Sequence, residues 1–187
     1  MLENNLKPRV FWLYGLSGAG KTTLSERLVS NFSSKQLGKI IHLDGDGLRN
    51  GINKDLGFSE NDRNENIRRV AEIAKLMVKN GLFCVCSFIT PSLEQRRMVE
   101  DIIGKEYLST IFIDCPIEIC EDRDVKGLYK KVRQGQIKNF TGISAPFDPP
   151  SGDDLIIRTN DLSVEESEKT LMSFVINQAH ENKSITE

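Results

Sequence analysis

The sequence has no long hydrophobic run: no window approaches the roughly 20 apolar residues that a membrane-spanning helix needs. Cysteine is scarce, with four in 187 residues, and none are spaced as C-x-x-C. Cys84 and Cys86 lie in one apolar run, Cys115 and Cys120 follow another, and the two histidines, His42 and His180, are far apart. This spacing points to four reduced, mostly buried thiols and argues against a zinc site or a disulfide framework. Charge of one sign is missing too. With 25 basic and 27 acidic residues the formal net charge is −2, so no whole-protein field favours nucleic acid or an anionic membrane. Repeats and low-complexity tracts are absent, and 39% hydrophobic with 28% charged residues excludes collagen-like and disordered chains. Residues 1–8 are polar, and the apolar run after them, Val10–Tyr14, is too short for a signal-peptide core. The expectation is a cytoplasmic protein with neither a membrane nor a nucleic-acid partner.

What is present is an alternation of short apolar runs with helical periodicity. The length suits a single domain over 1–187, with a tail that frays after about residue 180. Arg9–Tyr14, Lys39–Leu43, Leu82–Ile89, Tyr107–Asp114 and Leu155–Arg158 read as strands. Between them lie helical stretches: Lys21 to about Phe32, a stripe from Asn66 to Lys79, Ser92–Ile103 and Pro116–Arg123. Ser59 reads as the cap of the second helix and Asn80-Gly81 as its left-handed end. Ser163 with Glu166 reads as the capping box of a final helix. The β-α order predicts an α/β fold: a five-stranded parallel sheet with helices on both faces. One stretch breaks the pattern. Residues 126–150 carry Lys126, Lys130, Lys131, Arg133 and Lys138, no acid before Asp148, and several glycines and prolines. It reads as a mobile basic lid, spanning about 124–150, outside the core.

Gly15-Leu16-Ser17-Gly18-Ala19-Gly20-Lys21-Thr22 matches G-x-x-x-x-G-K-[ST] in full, after a strand and before a helix. Glycines let successive N–H groups turn inward around a phosphate, and the helix N-terminus adds positive potential. Lys21 can reach β/γ oxygens, and the Thr22 hydroxyl, followed by Thr23, can ligate Mg²⁺. The motif implies a nucleoside triphosphate without choosing among GTPase, ATPase motor and small-molecule kinase. Asn53-Lys54-Asp55 is not the guanine-reading N-K-x-D, because its Asp comes one position early. Size and the basic lid favour a kinase, since a closing lid keeps water from the phosphoryl group.

Asp44-Gly45-Asp46 lies at the carboxyl end of a strand, where parallel sheets place their sites. A carboxylate there can polarise a substrate hydroxyl or hold Mg²⁺ through water. Arg49 follows, and Arg63 and Asn66 share a helix face, near Arg68 and Arg69. Periodicity alone leaves two readings open: a site for a forked anionic ligand, or a solvated face paired with Glu60, Asp62 and Glu65.

The run from Leu43 to Arg69, LDGDGLRNGINKDLGFSENDRNENIRR, resembles the adenylylsulfate (APS) kinase family of P-loop kinases, as do Arg123–Lys131 and Lys138–Ile143. The resemblance runs from about Val10 to about Ile176. It implies transfer of the γ-phosphate of ATP to the 3′-hydroxyl of APS, giving PAPS for sulfate assimilation, with Mg²⁺ held by Thr22 and the ATP phosphates. It implies ATP contacts from residues 15–23 and Arg123, with Lys21 and Asp46 catalytic and Thr90 a further candidate. On the acceptor side it implies Asp44, Asp46, Arg49, Phe58, Arg63, Asn66, Ile89, Thr90, Lys126, Leu128, Phe140, Thr141 and Gly142. Phe58 and Phe140 would sandwich the APS adenine, and Lys126, Lys130 and Lys131 belong to the lid. A homodimer and a functional link to an ATP sulfurylase are the associations it suggests. Two positions depart from the family pattern. Thr90 stands where the family has a serine associated with a phosphoenzyme form, and Gly47 stands where Asp-Gly-Asp is usually followed by Asn. Gly47 keeps open a P-loop kinase acting on another nucleotide-like 3′-hydroxyl, and a non-catalytic nucleotide-binding subunit is the third reading.

Overall fold

A strand that is apolar at every position must be covered on both faces. Val10–Tyr14 (β1) is such a strand, with no residue more than 1% exposed. The structure, a computed structural model, describes residues 6–150 and 152–180. β1 is the middle strand of a five-stranded, all-parallel sheet with Ile40–Asp44 (β2), Phe83–Phe88 (β3), Leu108–Asp114 (β4) and Leu155–Arg158 (β5), in the order β2-β3-β1-β4-β5. The helices are Lys21–Ser34 (α1), Gly45–Arg49 (α2), Glu60–Lys79 (α3), Leu93–Ile103 (α4), Ile117–Arg123 (α5), Leu128–Arg133 (α6) and Val164–His180 (α7). Alternation along β1 sorts the two cores. Phe11 and Leu13 join Leu24, Leu28 and Phe32 of α1 and Leu171 and Val175 of α7. Val10, Trp12 and Tyr14 join Ile67, Val70 and Ala74 of α3 and Val99 and Ile103 of α4. The four cysteines are buried and free.

The expected helix ends are present. Ser59 Oγ accepts the Asp62 N–H of α3 at 3.2 Å. At its other end Leu82 N donates to Met77 O and Gly81 N to Val78 O, both at 3.1 Å, with Gly81 at φ +80°. That is the paired-bond left-handed terminator. Ser163 and Glu166 close the reciprocal capping box of α7. The expected tail after residue 180 lies outside the described residues.

Three features differ from the sequence expectation. α2 was not expected, because two of its five residues are glycine, which disfavours helix. Asp44 supplies the missing stability: its carboxylate accepts the Asp46 N–H at 3.1 Å. The lid segment contains the helix α6, started by the Asp124 carboxylate, which accepts the N–H groups of Tyr129 and Lys130 at 3.0 Å. Nor is that segment wholly outside the core, as its basic and glycine content suggested. Tyr129 is 1% exposed and Phe140 8%, their rings meet edge to face with centroids 5.0 Å apart, and both pack into the α1/α7 side. The aromatic positions outweigh the polar ones between them.

Gly47 has an ordinary negative φ, and a Cβ there would meet nothing within 4 Å. Gly47→Ala is therefore expected to stabilise α2 by about 0.5–1 kcal/mol and to raise the thermal midpoint by about 2 °C. A lowered midpoint would mean that the loop needs the glycine.

Candidate active site

Consecutive strands β3 and β4 lie on opposite sides of β1, so the chain reverses its direction of winding beside β1. Loops at the carboxyl ends of strands at such a switch point enclose a crevice. Residues 15–20 form the first of these loops. A Cβ on Gly15 would stand 2.4 Å from Ile113 O, and one on Gly18 2.8 Å from Cys120 O, so both positions exclude any side chain. The loop runs into α1, whose first residues Lys21, Thr22 and Thr23 line the crevice, the end of a helix that favours anions. Lys21 is buried. Its Nζ donates to Gly15 O at 2.9 Å and Leu16 O at 2.7 Å, which leaves the third N–H to be directed outward. Burial pulls its pKa down to about 8.

The second loop carries Asp44 and Asp46. Asp44 is held from two sides. Ser87 Oγ donates to its Oδ1 at 3.2 Å, while Oδ2 caps α2. Ser87 has only that one hydrogen, so the 2.8 Å contact from His42 Nε2 to Ser87 Oγ requires the Nε2–H tautomer of His42. Asp46 follows in the first turn of α2 with its carboxylate exposed. Across 80 residues Lys126 Nζ meets Asp46 Oδ2 at 2.5 Å. Two residues expected on the acceptor side, one as a catalytic carboxylate and one as a lid cation, are thus a pair.

The arginines divide between the two readings left open by the sequence. Arg68 and Arg69 form the solvated face, bound to Glu65, with Arg69 also on Asp55. Arg49 and Arg63 turn toward the crevice. Arg49 bonds Gly57 O at 2.8 Å and stacks 4.5 Å over the Phe58 ring. Arg63 bonds Asn139 O at 2.7 Å and Thr141 Oγ1 at 3.3 Å, tying α3 to the lid segment. Burial, and then the like charge of Arg63, work against the charge of Arg49, which marks a place short of anions.

One cavity of about 840 Å³ joins these parts. Of the residues expected, it is lined by Ser17, Gly18, Gly20, Lys21, Thr22, Thr23 and Arg123 on the phosphate side. On the other it is lined by Asp44, Asp46, Arg49, Phe58, Arg63, Asn66, Ile89, Thr90, Lys126, Leu128, Phe140 and Thr141. Gly15 and Ala19 belong to the loop but not to the lining, Leu16 and Gly142 line a separate shallow groove, and Lys130 and Lys131 are exposed away from the lining. Phe58 is 71% exposed while Phe140 is 8% exposed and meets Tyr129 edge to face, so the two rings differ sharply in the surface they offer. The Thr90 side chain is 1% exposed, and its hydroxyl accepts the Trp12 indole N–H at 3.0 Å.

Sequence reasoning missed several contributors. Leu162 and Val164 line the cavity, as does Arg123, which bonds Thr159 O at 2.8 Å. Their exposure, 37% and 42%, on either side of a capping serine was the available signal. Arg96 bonds Thr90 O and Pro91 O at one end and Asp148 O and Pro149 O at the other, fastening the end of the lid segment to the turn after β3. A basic residue on an amphipathic helix gives no sign of such a role. Three carboxylate and hydroxyl groups, Thr22, Asp44 and Asp46, line the same cavity, a hard-oxygen set suited to Mg²⁺.

Comparison with known proteins gives the chain its place. A sequence model of the adenylylsulphate kinase family matches residues 7–158. The adenylyl-sulfate kinase of Bacillus pumilus is 44% identical over 177 residues, 95% of this chain and 89% of its own length. That of Phocaeicola vulgatus is 50% identical over 167 residues, 89% of this chain and 81% of its own. Among solved structures, the APS kinase of Mycobacterium tuberculosis in complex with AMPPNP and APS superposes with a TM-score of 0.86. It is 35% identical, covering 91% of this chain and 98% of that one. With its parallel sheet, its phosphate loop and these matches over most of its length, the chain belongs to the adenylylsulphate kinase family.

Proposed function

We propose that the protein is an ATP-dependent adenylyl-sulfate kinase that moves the γ-phosphate of ATP to the 3′-hydroxyl of APS, yielding PAPS and ADP. The observation that carries this reading is the single cavity with two unlike ends: the phosphate loop with Lys21 and Thr22, and the group of Arg49, Arg63, Asn66, Phe58 and Phe140. The first end suits a triphosphate. The second suits a flat base joined to a doubly anionic headgroup. Leu162, Val164 and Arg123 offer a shelf for the ATP base. The resemblance carries two further proposals, a homodimer and a functional link to an ATP sulfurylase.

The residues divide the work. Lys21, fixed by two carbonyls, presents a positive charge to the β/γ oxygens without having to reorganise. Mg²⁺ bound with ATP would neutralise charge on the same phosphates, with Thr22 as its protein ligand and Asp44 within reach through water. Asp46, set at the first turn of α2, orients the 3′-hydroxyl and takes its proton late, as the phosphoryl group passes directly in line. Lys126 beside it adds a cation at the point of transfer. The lid segment and Arg96 close the cavity against water.

The test is ADP release with Mg·ATP, with and without APS, with PAPS identified by mass. The expected result is APS-dependent ADP with equimolar PAPS. Slow ADP release indifferent to APS, with no PAPS, would keep the nucleotide site and reject the acceptor.

A further inference from the structure

Asn53-Lys54-Asp55, which the sequence excludes as a guanine reader, joins the acceptor loop to α3. Asp55 does so on the outside, where its two oxygens accept from Arg69 at 2.8 Å each. Asn53 does so inside. It is fully buried, its N–H donates to Leu48 O at 2.9 Å, and its carbonyl accepts from Leu56 N at 3.1 Å, so the backbone at this point is fixed. Its side-chain Nδ2 donates to Asn66 Oδ1 at 2.9 Å. Asn66 is only 4% exposed, and that remaining surface lines the cavity one helical turn from Arg63.

An asparagine amide has an acceptor end and a donor end of nearly the same shape. Which end faces a ligand is set by what holds the other. Here Asn53 takes the oxygen, so the Asn66 nitrogen, which donates to no described residue, is left for the cavity that Asn66 lines. The cost falls on Asn53, whose own Oδ1 is buried without a partner. We propose that Asn53 is a positioning residue for the acceptor: it fixes the Asn66 carboxamide with its nitrogen toward the cavity, so that this end of the site offers only donors to an oxygen-rich anion. The assignment rests on the acceptor site described above. Turned over, the same amide would set a carbonyl oxygen against phosphosulfate or ribose oxygens, and binding would lose a hydrogen bond and gain a repulsion.

The experiment is a double-mutant cycle with APS and ATP titrated separately. Asn53→Ala is expected to raise the KM for APS about tenfold, one well-made hydrogen bond, with the KM for ATP within about twofold. In an Asn66→Ala background the same change should add almost nothing, because Asn53 acts through Asn66. Asp55→Ala, which cuts only the outer tie, should leave the KM for APS within about twofold. If Asn53→Ala does not fold, Asn53→Asp keeps the shape and, when ionised, cannot donate. Asn66 must then turn its nitrogen inward, and the KM for APS should rise as before. The assignment is overturned if the Asn53 and Asn66 effects multiply, if the KM for ATP rises equally, if Asp55→Ala matches Asn53→Ala, or if Asn53→Asp binds APS as the wild type does. Wild-type enzyme with no APS-dependent turnover at all overturns the functional reading, and this assignment with it.

Discussion

Asp46→Ala is expected to lower kcat by about 10²- to 10⁴-fold, the range for loss of a positioned proton acceptor. Fold stability should barely change. The Asp46 carboxylate is 67% exposed and its bond is to a half-exposed Lys126, a surface pair of the kind worth about 0–1 kcal/mol. The α2 cap does not depend on the Asp46 side chain, because Asp44 accepts the backbone N–H of Asp46. Asp46→Asn separates the roles. It keeps the shape and can still orient the 3′-hydroxyl, but it cannot accept the proton, so kcat should fall while the KM for APS stays close to wild type. Lys126→Ala should cost less than either, since it removes a cation beside the transfer and not the acceptor of the proton. An Asp46→Ala enzyme turning over near the wild-type rate, measured by coupled ADP release, would remove Asp46 from the mechanism.

Lys21→Ala is expected to cost about 10²- to 10³-fold in kcat, as for removal of one preorganised donor from the developing charge. The same residue gives nucleotide binding its pH dependence. Burial holds the folded-state pKa of Lys21 near 8, below its ordinary value. The protein without nucleotide therefore bears the cost of a buried ammonium below about pH 8, and that cost is relieved as pH rises beyond it. Triphosphate oxygens favour the charged form. ATP should accordingly bind well up to about pH 8, then weaken by about tenfold per unit as Lys21 loses its proton. The KM for ATP measured between pH 7 and 9.5 checks this, with Lys21→Ala as the control whose profile is flat above pH 7. A wild-type KM that does not change across that range would show that Lys21 stays charged throughout.

Much of the fold could be read from local pattern. Val10–Tyr14 declares a doubly covered strand, and Ser59, Gly81 and Ser163 mark helix ends, because each of these signals acts over a few residues. The phosphate loop was equally plain, since Gly15 and Gly18 stand where backbone oxygens at 2.4 and 2.8 Å would meet a Cβ. The unreadable parts depend on partners far along the chain. Nothing near Asp46 announces Lys126, 80 residues away. Arg63 and Arg69 belong to one helix and look alike in sequence. Only the folded loop gives one of them the cavity and the other Asp55. Tyr129 went unread in a basic stretch, and Phe140 was read there only as a ligand platform, because two aromatic anchors weigh more in packing than they do in composition.

Thr90 bears on the route of the phosphorus atom itself. Its backbone sits at φ +42°, rare for a β-branched residue, the residue is 1% exposed, and its hydroxyl accepts from Trp12. A side chain so enclosed is a poor place to park a phosphoryl group between donor and acceptor. Parking means two displacements, which restore the original handedness at phosphorus, whereas a single passage reverses it. With Thr90 closed off, a γ-phosphate made chiral with oxygen isotopes would reach the ribose as its mirror image.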